Sequence, residues 1–171
     1  MSRRCVVTGV GIVSPVGIGK EAFWDSLIRG KSGISRITYF DTSTLSVHSA
    51  GQIKDFKATD YMDETRAQLT GRYVHFAMAA CKKAIEDAGI GNNGFERARL
   101  ALYGGTTTPS NDSVEFHLRQ ACLDDEYAPP NALASLVVHG AMAEVSQTLN
   151  MFESASTIST ICTSGSNAIG I

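Results

Sequence analysis

The sequence predicts an α/β protein, with helices layered around a mostly parallel sheet. Three observations carry that expectation. Short β-branched runs alternate with longer amphipathic stretches along the 171 residues. Two of the runs lead into glycines, Gly9-Val10-Gly11 and Gly104-Gly105, as strands that give way to loops do. A third run delivers Cys162 into a turn of small residues that opens a helix. Such alternation buries strands beneath helical layers, which favours α/β layers over a bundle or a sandwich.

Each element follows from its local pattern. Arg4-Cys5-Val6-Val7-Thr8 is predicted as a short buried strand, closed by Gly9-Val10-Gly11 and a loop at Ser14-Pro15-Val16-Gly17. A helix is predicted over residues 20–29, because Phe23, Trp24, Leu27 and Ile28 fall on one face of a 3.6-residue period. Gly30 is placed to stop it in the left-handed conformation. Residues 31–60, with Gly33, Ile34, Ile37 and Tyr39-Phe40-Asp41, suit short strands and turns. A long helix is predicted over 65–88, with Leu69, Tyr73, Phe76, Ala77, Ala80, Ala84 and Ile85 on one face and Gly89 at its end. Residues 99–103 form the second expected core strand, and 110–123 the next helix. Pro129-Pro130 punctuates the chain, and Asn131 is a good N-cap for a helix reaching Leu149. The β-branched alternation over 156–161 reads as a strand, followed at once by Cys162-Thr163-Ser164-Gly165. Neither an internal repeat nor a linker is visible, so residues 1–171 are expected to form a single domain.

Composition narrows the functional classes. Hydrophobic residues make up 43% and charged residues 19%, which suits a chain with a real core. The net charge of −2, from 15 basic and 17 acidic residues, lacks the basic excess of a nucleic-acid binder. No apolar stretch approaches the roughly 20 residues of a membrane span. The run behind Arg3-Arg4 is only Cys5-Val6-Val7, short of a signal-peptide core of about 7–15 residues. A soluble, cytoplasmic protein without nucleic-acid or membrane partners is expected. Cysteines stand at 5, 81, 122 and 162, in no C-x-x-C pair and no zinc spacing. Four reduced thiols, mostly buried, are expected rather than a disulfide framework.

A strand that ends in a cysteine at the mouth of a helix has a chemical logic. Unpaired backbone N–H groups and the positive end of the helix dipole gather there. Both favour a thiolate, and the N–H groups can hold the oxyanion of an acyl intermediate. Thr163, Ser164 and Gly165 are small enough to admit a substrate. Cys162 is therefore the candidate nucleophile.

The stretch Thr157-Ile-Ser-Thr-Ile-Cys-Thr-Ser-Gly-Ser-Asn-Ala-Ile-Gly170 resembles the nucleophile segment of the β-ketoacyl-acyl-carrier-protein synthases. Three further segments are similar to that family in the same order: Arg3 to Gly17, Phe23 to Asp41 and Ala79 to Ile90. The likeness covers nearly the whole chain, and the nearest subgroup is synthase II or the related polyketide ketosynthases. The resemblance implies a thiolase-like layered α/β/α fold, of which this chain is an incomplete N-terminal half. It implies decarboxylative Claisen condensation in fatty-acid or polyketide elongation, with the acyl group held on Cys162. It also implies acyl carrier protein as partner and a homodimer or a ketosynthase heterodimer, with the strand before the nucleophile pairing across a homodimer. No metal or redox cofactor is implied, since phosphopantetheine arrives on the carrier. Thr106-Thr107-Thr108 would lie near the acyl pocket, although a hydroxyl-rich loop end explains the run equally well.

Two departures from the family pattern stand out. Ile161 occupies the place of a small residue, where extra methylenes beside a packed nucleophile are expected to cost about 1–3 kcal/mol. Glu153-Ser154 stands where Gly-Pro is common. Both point to a specialised or divergent member. The family's catalytic histidines lie C-terminal of the cysteine, and none of His48, His75, His117 and His139 matches their motifs. The chain is thus expected to be the N-terminal portion of a longer protein, ending just after the nucleophile, or one piece of a split ketosynthase. A non-catalytic partner subunit of chain-length-factor type is the alternative; Cys162 argues against it. Another thiolase-fold enzyme would carry different flanks.

Other features have plainer readings. Gly9-Val10-Gly11 lacks the third glycine and the acidic residue of a dinucleotide fingerprint, so a tight turn is expected. Cys5, Cys81 and Cys122 read as structural, His75 as packed or solvated, His139 as half-buried and Asp124-Asp125-Glu126 as a solvated loop.

Overall fold

The computed structural model describes residues 4–90, 100–123 and 137–171. They belong to two units, Met1–Lys57 with Ala79–Asn93, and Ala58–Met78 with Gly94–Ile171.

In the first unit, β1 (Val13–Ser14) and β2 (Gly17–Ile18) form an antiparallel hairpin around Pro15-Val16. Helix α1 (Lys20–Ile28) follows, close to its expected span. It stops as predicted at Gly30, φ 62°. Gly30 N–H donates to Leu27 O at 3.0 Å and Lys31 N–H to Ser26 O at 2.9 Å, the paired bonds of a Schellman end. The expected apolar face is not its buried one: Trp24 and Ile28 are 64% and 66% exposed, while Ser26 is buried. Strands β3 (Ile34–Arg36) and β4 (Ser49–Gly51) pair antiparallel, within the stretch expected to hold short strands and turns.

The strand expected over residues 4–8 does not form among the described residues. A strand exists through its ladder, and no described strand pairs with this segment. Val6 and Val7 stay exposed. The glycines behind it serve close packing instead. A Cβ on Gly11 would lie 1.8 Å from Ala80 O, and one on Gly9 2.5 Å from Ala84 O. Only glycine lets this backbone lie against the helix bearing those alanines, which gives Gly9-Val10-Gly11 a structural purpose in place of a phosphate loop.

The long helix expected over 65–88 is two helices, α2 (Glu64–Leu69) and α3 (Arg72–Asp87). Asp63 caps α2 by accepting from Arg66 N–H at 2.9 Å. Thr70 ends it: its backbone is extended, and its hydroxyl donates to Arg66 O at 2.7 Å. A threonine side chain can thus satisfy a terminal carbonyl that helix continuation would otherwise claim. Helix α3 stops at Gly89, φ 67°, with a second Schellman pair from Gly89 to Glu86 and Ile90 to Ile85. The residues it buries, Val74, Met78 and Ala79, are not the predicted face.

In the second unit, β5 (Ala101–Gly105) and β6 (Ser154–Ile158) pair in parallel, with Ala101 opposite Ser154 and Gly105 opposite Ile158. Between them in sequence come α4 (Asn111–Leu123) and α5 (Gly140–Leu149), consistent with the crossover a parallel pair requires. Helix α5 packs tightly on β5, since a Cβ on Gly104 would meet Met142 Sδ at 2.2 Å. Arg66 ties α2 to α5 by pairing with Glu144 and donating to Thr148 Oγ1 at 3.1 Å. Among the described residues of this unit, Met62, Val74, Met78, Ala141 and Val145 are the buried apolar ones.

Arg99, Asp124-Asp125-Glu126, Pro129-Pro130 and the Asn131 cap lie outside the described residues. Among the described residues, no helix is long and apolar enough to cross a membrane.

Candidate active site

Strand β6 ends at Ile158, not at 161 as its sequence pattern predicts. The reason lies in its partner: β5 finishes at Gly105, opposite Ile158, and Thr106 N–H closes the ladder on Ile158 O at 3.1 Å. Ser159 and Thr160 leave the sheet. A single 3₁₀ turn, Ile161–Thr163, then carries Cys162, and α6 (Ser164–Gly170) follows. The expected strand, cysteine and helix order therefore holds, with a turn inserted. Cys162 is exposed.

Hydroxyl groups build this turn. Ser164 is buried, and its Oγ donates to Ile161 O at 2.7 Å while accepting from Thr160 N–H at 2.9 Å. Thr107 Oγ1, from the segment after β5, donates to the same Ile161 carbonyl at 3.0 Å. Thr163 Oγ1 donates to Thr160 O at 2.7 Å, and Asn167 Nδ2 to Thr160 Oγ1 at 2.8 Å. Gly105 completes the fit: a Cβ there would stand 2.3 Å from Ser164 O and 2.6 Å from Gly165 N.

Ile161 behaves differently from expectation. Its side chain is 70% exposed, so its extra methylenes crowd nothing. The departure instead sits in the backbone, where Ile161 has φ 55°. For a β-branched residue that is a genuine outlier, with a cost on the order of 1–3 kcal/mol. Glu153 is likewise accommodated, because its N–H donates to Leu100 O at 2.8 Å and extends the ladder that Ser154 begins.

The remaining candidates scatter. Cys5 and Cys122 are exposed, against the expectation of mostly buried thiols, and Cys81 is half-buried. Burial pushes the Cys81 thiol up to about 11. His75 donates from Nε2 to Ala67 O at 3.1 Å, and burial holds its pKa below the usual imidazole value. His48 bonds Thr42 and His139 bonds Thr157, at 3.1 and 2.8 Å. His139 is exposed rather than half-buried. Among the described residues, no cluster of His, Cys, Asp and Glu is arranged to hold a metal ion. Sequence reasoning missed Ser164 and Thr107 as builders of the turn. The Thr106-Thr107-Thr108 run is the visible signal for the second; a pocket lining and a hydroxyl-rich loop end are the readings it suggests, and neither includes a backbone clamp.

This strand, hydroxyl-bound turn and helix lie inside a match to the family model described as "Beta-ketoacyl synthase, N-terminal domain", over residues 2–171. The chain belongs to the β-ketoacyl synthase family. A curated relative, 3-oxoacyl-[acyl-carrier-protein] synthase 2 of Staphylococcus aureus (strain N315), is 29% identical over 99% of this chain and 41% of its own length. The chain thus spans about two fifths of such relatives. Among solved structures, the ishigamide ketosynthase/chain length factor matches with TM-score 0.82 and 25% identity, over 91% of this chain and 39% of that one. A type II polyketide acyl-carrier protein in complex with its ketosynthase, bound to the hexaketide, matches with TM-score 0.72 and 23% identity, over 96% of this chain and 40% of that one. The fold is therefore the thiolase-type fold of ketosynthases, represented here by its N-terminal half.

Proposed function

We propose that this chain carries the acyl-accepting half of a β-ketoacyl-acyl-carrier-protein synthase, with Cys162 as nucleophile. The observation that carries the proposal is the turn itself: an exposed cysteine between β6 and α6, on a backbone tied by Thr107 and Ser164. The thiolate of Cys162 attacks the carbonyl carbon of an acyl thioester, and the new C–S bond forms as the carrier's phosphopantetheine thiolate leaves and takes up a proton. In the second stage a malonyl thioester loses CO2, and the electron pair released becomes a carbanion. That carbanion attacks the Cys162 thioester, giving the β-ketoacyl product and freeing the thiolate.

The same reading carries a cytoplasmic setting, acyl carrier protein as partner and substrates borne on phosphopantetheine. A homodimer or ketosynthase heterodimer is the assembly. Among the described residues β6 pairs on one side only, with β5, which leaves an edge for such pairing. Relatives named 3-oxoacyl-[acyl-carrier-protein] synthase 2 and putative polyketide beta-ketoacyl synthase 1 both support the elongation chemistry.

A second reading, a non-catalytic chain-length-factor type of partner, draws on the match to the ishigamide ketosynthase/chain length factor. Cys162 weighs against it. Incubation with octanoyl-carrier protein, followed by intact mass and peptide mapping, separates the two. A stoichiometric octanoyl adduct on Cys162, abolished by Cys162→Ala, is expected. No adduct at Cys162 would overturn the enzymatic reading and favour the partner subunit.

A further inference from the structure

We propose that Thr107 and Ser164 are positioning residues for Cys162: their hydroxyls clamp the Ile161 carbonyl and hold the left-handed backbone from which the nucleophile is presented. The proposal rests on Cys162 being the acyl acceptor. A β-branched residue at φ 55° does not hold that conformation by its own preference. Such residues persist where the surroundings over-determine them. Side-chain packing cannot do this for Ile161, which is 70% exposed. Three donors do so instead. Ser164 N–H reaches Ile161 O through the 3₁₀ turn, Ser164 Oγ at 2.7 Å and Thr107 Oγ1 at 3.0 Å.

Proton counting makes the assignment specific. Each hydroxyl has one proton, and both are committed to the Ile161 carbonyl. The 3.5 Å approach of Thr107 Oγ1 to Ser164 Oγ is then a contact without a proton to share. The Ser164 lone pairs remain free to accept Thr160 N–H at 2.9 Å. One buried hydroxyl thus ties the residue before Ile161 to Ile161 itself, and Thr107 anchors both to the end of β5. The peptide joining Ile161 to Cys162 is oriented by this clamp. Without it the turn can relax toward an ordinary backbone region and swing the cysteine out of place. A misplacement on the order of 1 Å at reacting atoms can cost about a hundredfold in rate.

The test uses octanoyl-N-acetylcysteamine as acyl donor to this chain, with intact mass and peptide mapping as readouts. Thr107→Val removes the hydroxyl at nearly constant shape, Ser164→Ala removes the other, and Thr107→Ser restores the first. Expected for Thr107→Val and Ser164→Ala is a fall of about tenfold or more in the saturating acylation rate at Cys162, with the half-saturating concentration unmoved. Thr107→Ser recovers most of the loss, and iodoacetamide labelling of Cys5 and Cys122 is unchanged. Acylation at the parent rate in Thr107→Val, or Thr107→Ser no better than Thr107→Val, overturns the clamp. If the parent chain takes no octanoyl group at Cys162, the ketosynthase reading fails. The clamp is then judged by iodoacetamide alone. It predicts slower labelling of Cys162 relative to Cys5 and Cys122 in Thr107→Val and Ser164→Ala, as the cysteine samples orientations less open than the exposed one it holds. Equal ratios in all variants overturn it.

Discussion

Adding one methyl group at Gly105 tests how tightly the end of β5 is fitted to the turn that carries Cys162. A Cβ at this position would lie 2.3 Å from Ser164 O and 2.4 Å from Ser164 C, where ordinary contact begins at 3.4 Å. The atoms met are backbone, so no side-chain rotation relieves the clash. The start of α6 must retreat by about 1 Å, or β5 must tilt away from it. Overpacking of this kind costs about 1–3 kcal/mol. Restricting the unfolded chain by replacing glycine returns about 0.4–1 kcal/mol. The net expectation for Gly105→Ala is a loss of about 1–2 kcal/mol. It would be read as a lower urea midpoint at an unchanged denaturant slope. The functional effect should be larger than the stability effect. Ser164 is the buried side of the Ile161 clamp, and a shift there moves the backbone that carries Cys162. On the function proposed above, acyl transfer to Cys162 should fall by about tenfold to a hundredfold in protein that is still fully folded. A Gly105→Ala chain that is as stable as the parent and acylated at the parent rate would refute this packing argument.

Four further outcomes follow from particular contacts. Burial raises Cys81 to about 11, so at pH 8 its thiolate fraction is about two hundred times below that of a free thiol near 8.5, and peptide mapping should find it alkylated last. Asp87 is held below the usual carboxylate range by Lys20 and by Val10 N–H; its contribution is present above the unfolded carboxylate pKa and lost as pH falls through the folded one, so Asp87→Asn should be destabilised at neutral pH and converge with the parent in acid. His75 titrates below its unfolded value because it is buried, so the unfolded chain binds its proton first as pH falls below about 6.5; His75→Gln should remove that loss of stability from urea titrations in this window. Arg66→Ala frees the half-buried Glu144 and the Thr148 hydroxyl; with the pair partly screened by solvent, a loss of about 1 kcal/mol is expected in the same titration.

Local signals were legible in the sequence wherever a residue determines its own conformation. Gly30 and Gly89 end helices at positive φ because their lack of a Cβ makes that conformation accessible in any context. The order of strand, cysteine and helix around residue 162 was readable for a similar reason: β-branched alternation and a run of small residues are local patterns. Features fixed by partners were not. Residues 4–8 have the composition of a strand, yet composition supplies no ladder, and no described strand pairs with them. The apolar periodicity over 65–88 runs straight through Thr70, where a single side-chain bond to Arg66 O ends α2.

Ile161 shows the same division at the site itself. Its place at the end of the β-branched run 156–161 marks it as a strand residue, and its bulk beside Cys162 suggests a packing conflict. The ladder ends three residues earlier because β5 ends, and that is decided by Gly105, more than fifty residues away in sequence. Once outside the sheet, the isoleucine meets no packing constraint, and its φ is set by donors from Thr107 and Ser164. The substitution that looks most disruptive in sequence is therefore sterically silent and conformationally expensive. This predicts an asymmetry between two replacements. Ile161→Ala, which removes only exposed methylenes, should change stability by no more than about 0.5 kcal/mol. Ile161→Asn, which suits a left-handed backbone, should stabilise the chain by about 0.5–1 kcal/mol. Equal urea midpoints for the two variants would show that the backbone at 161 stores no strain.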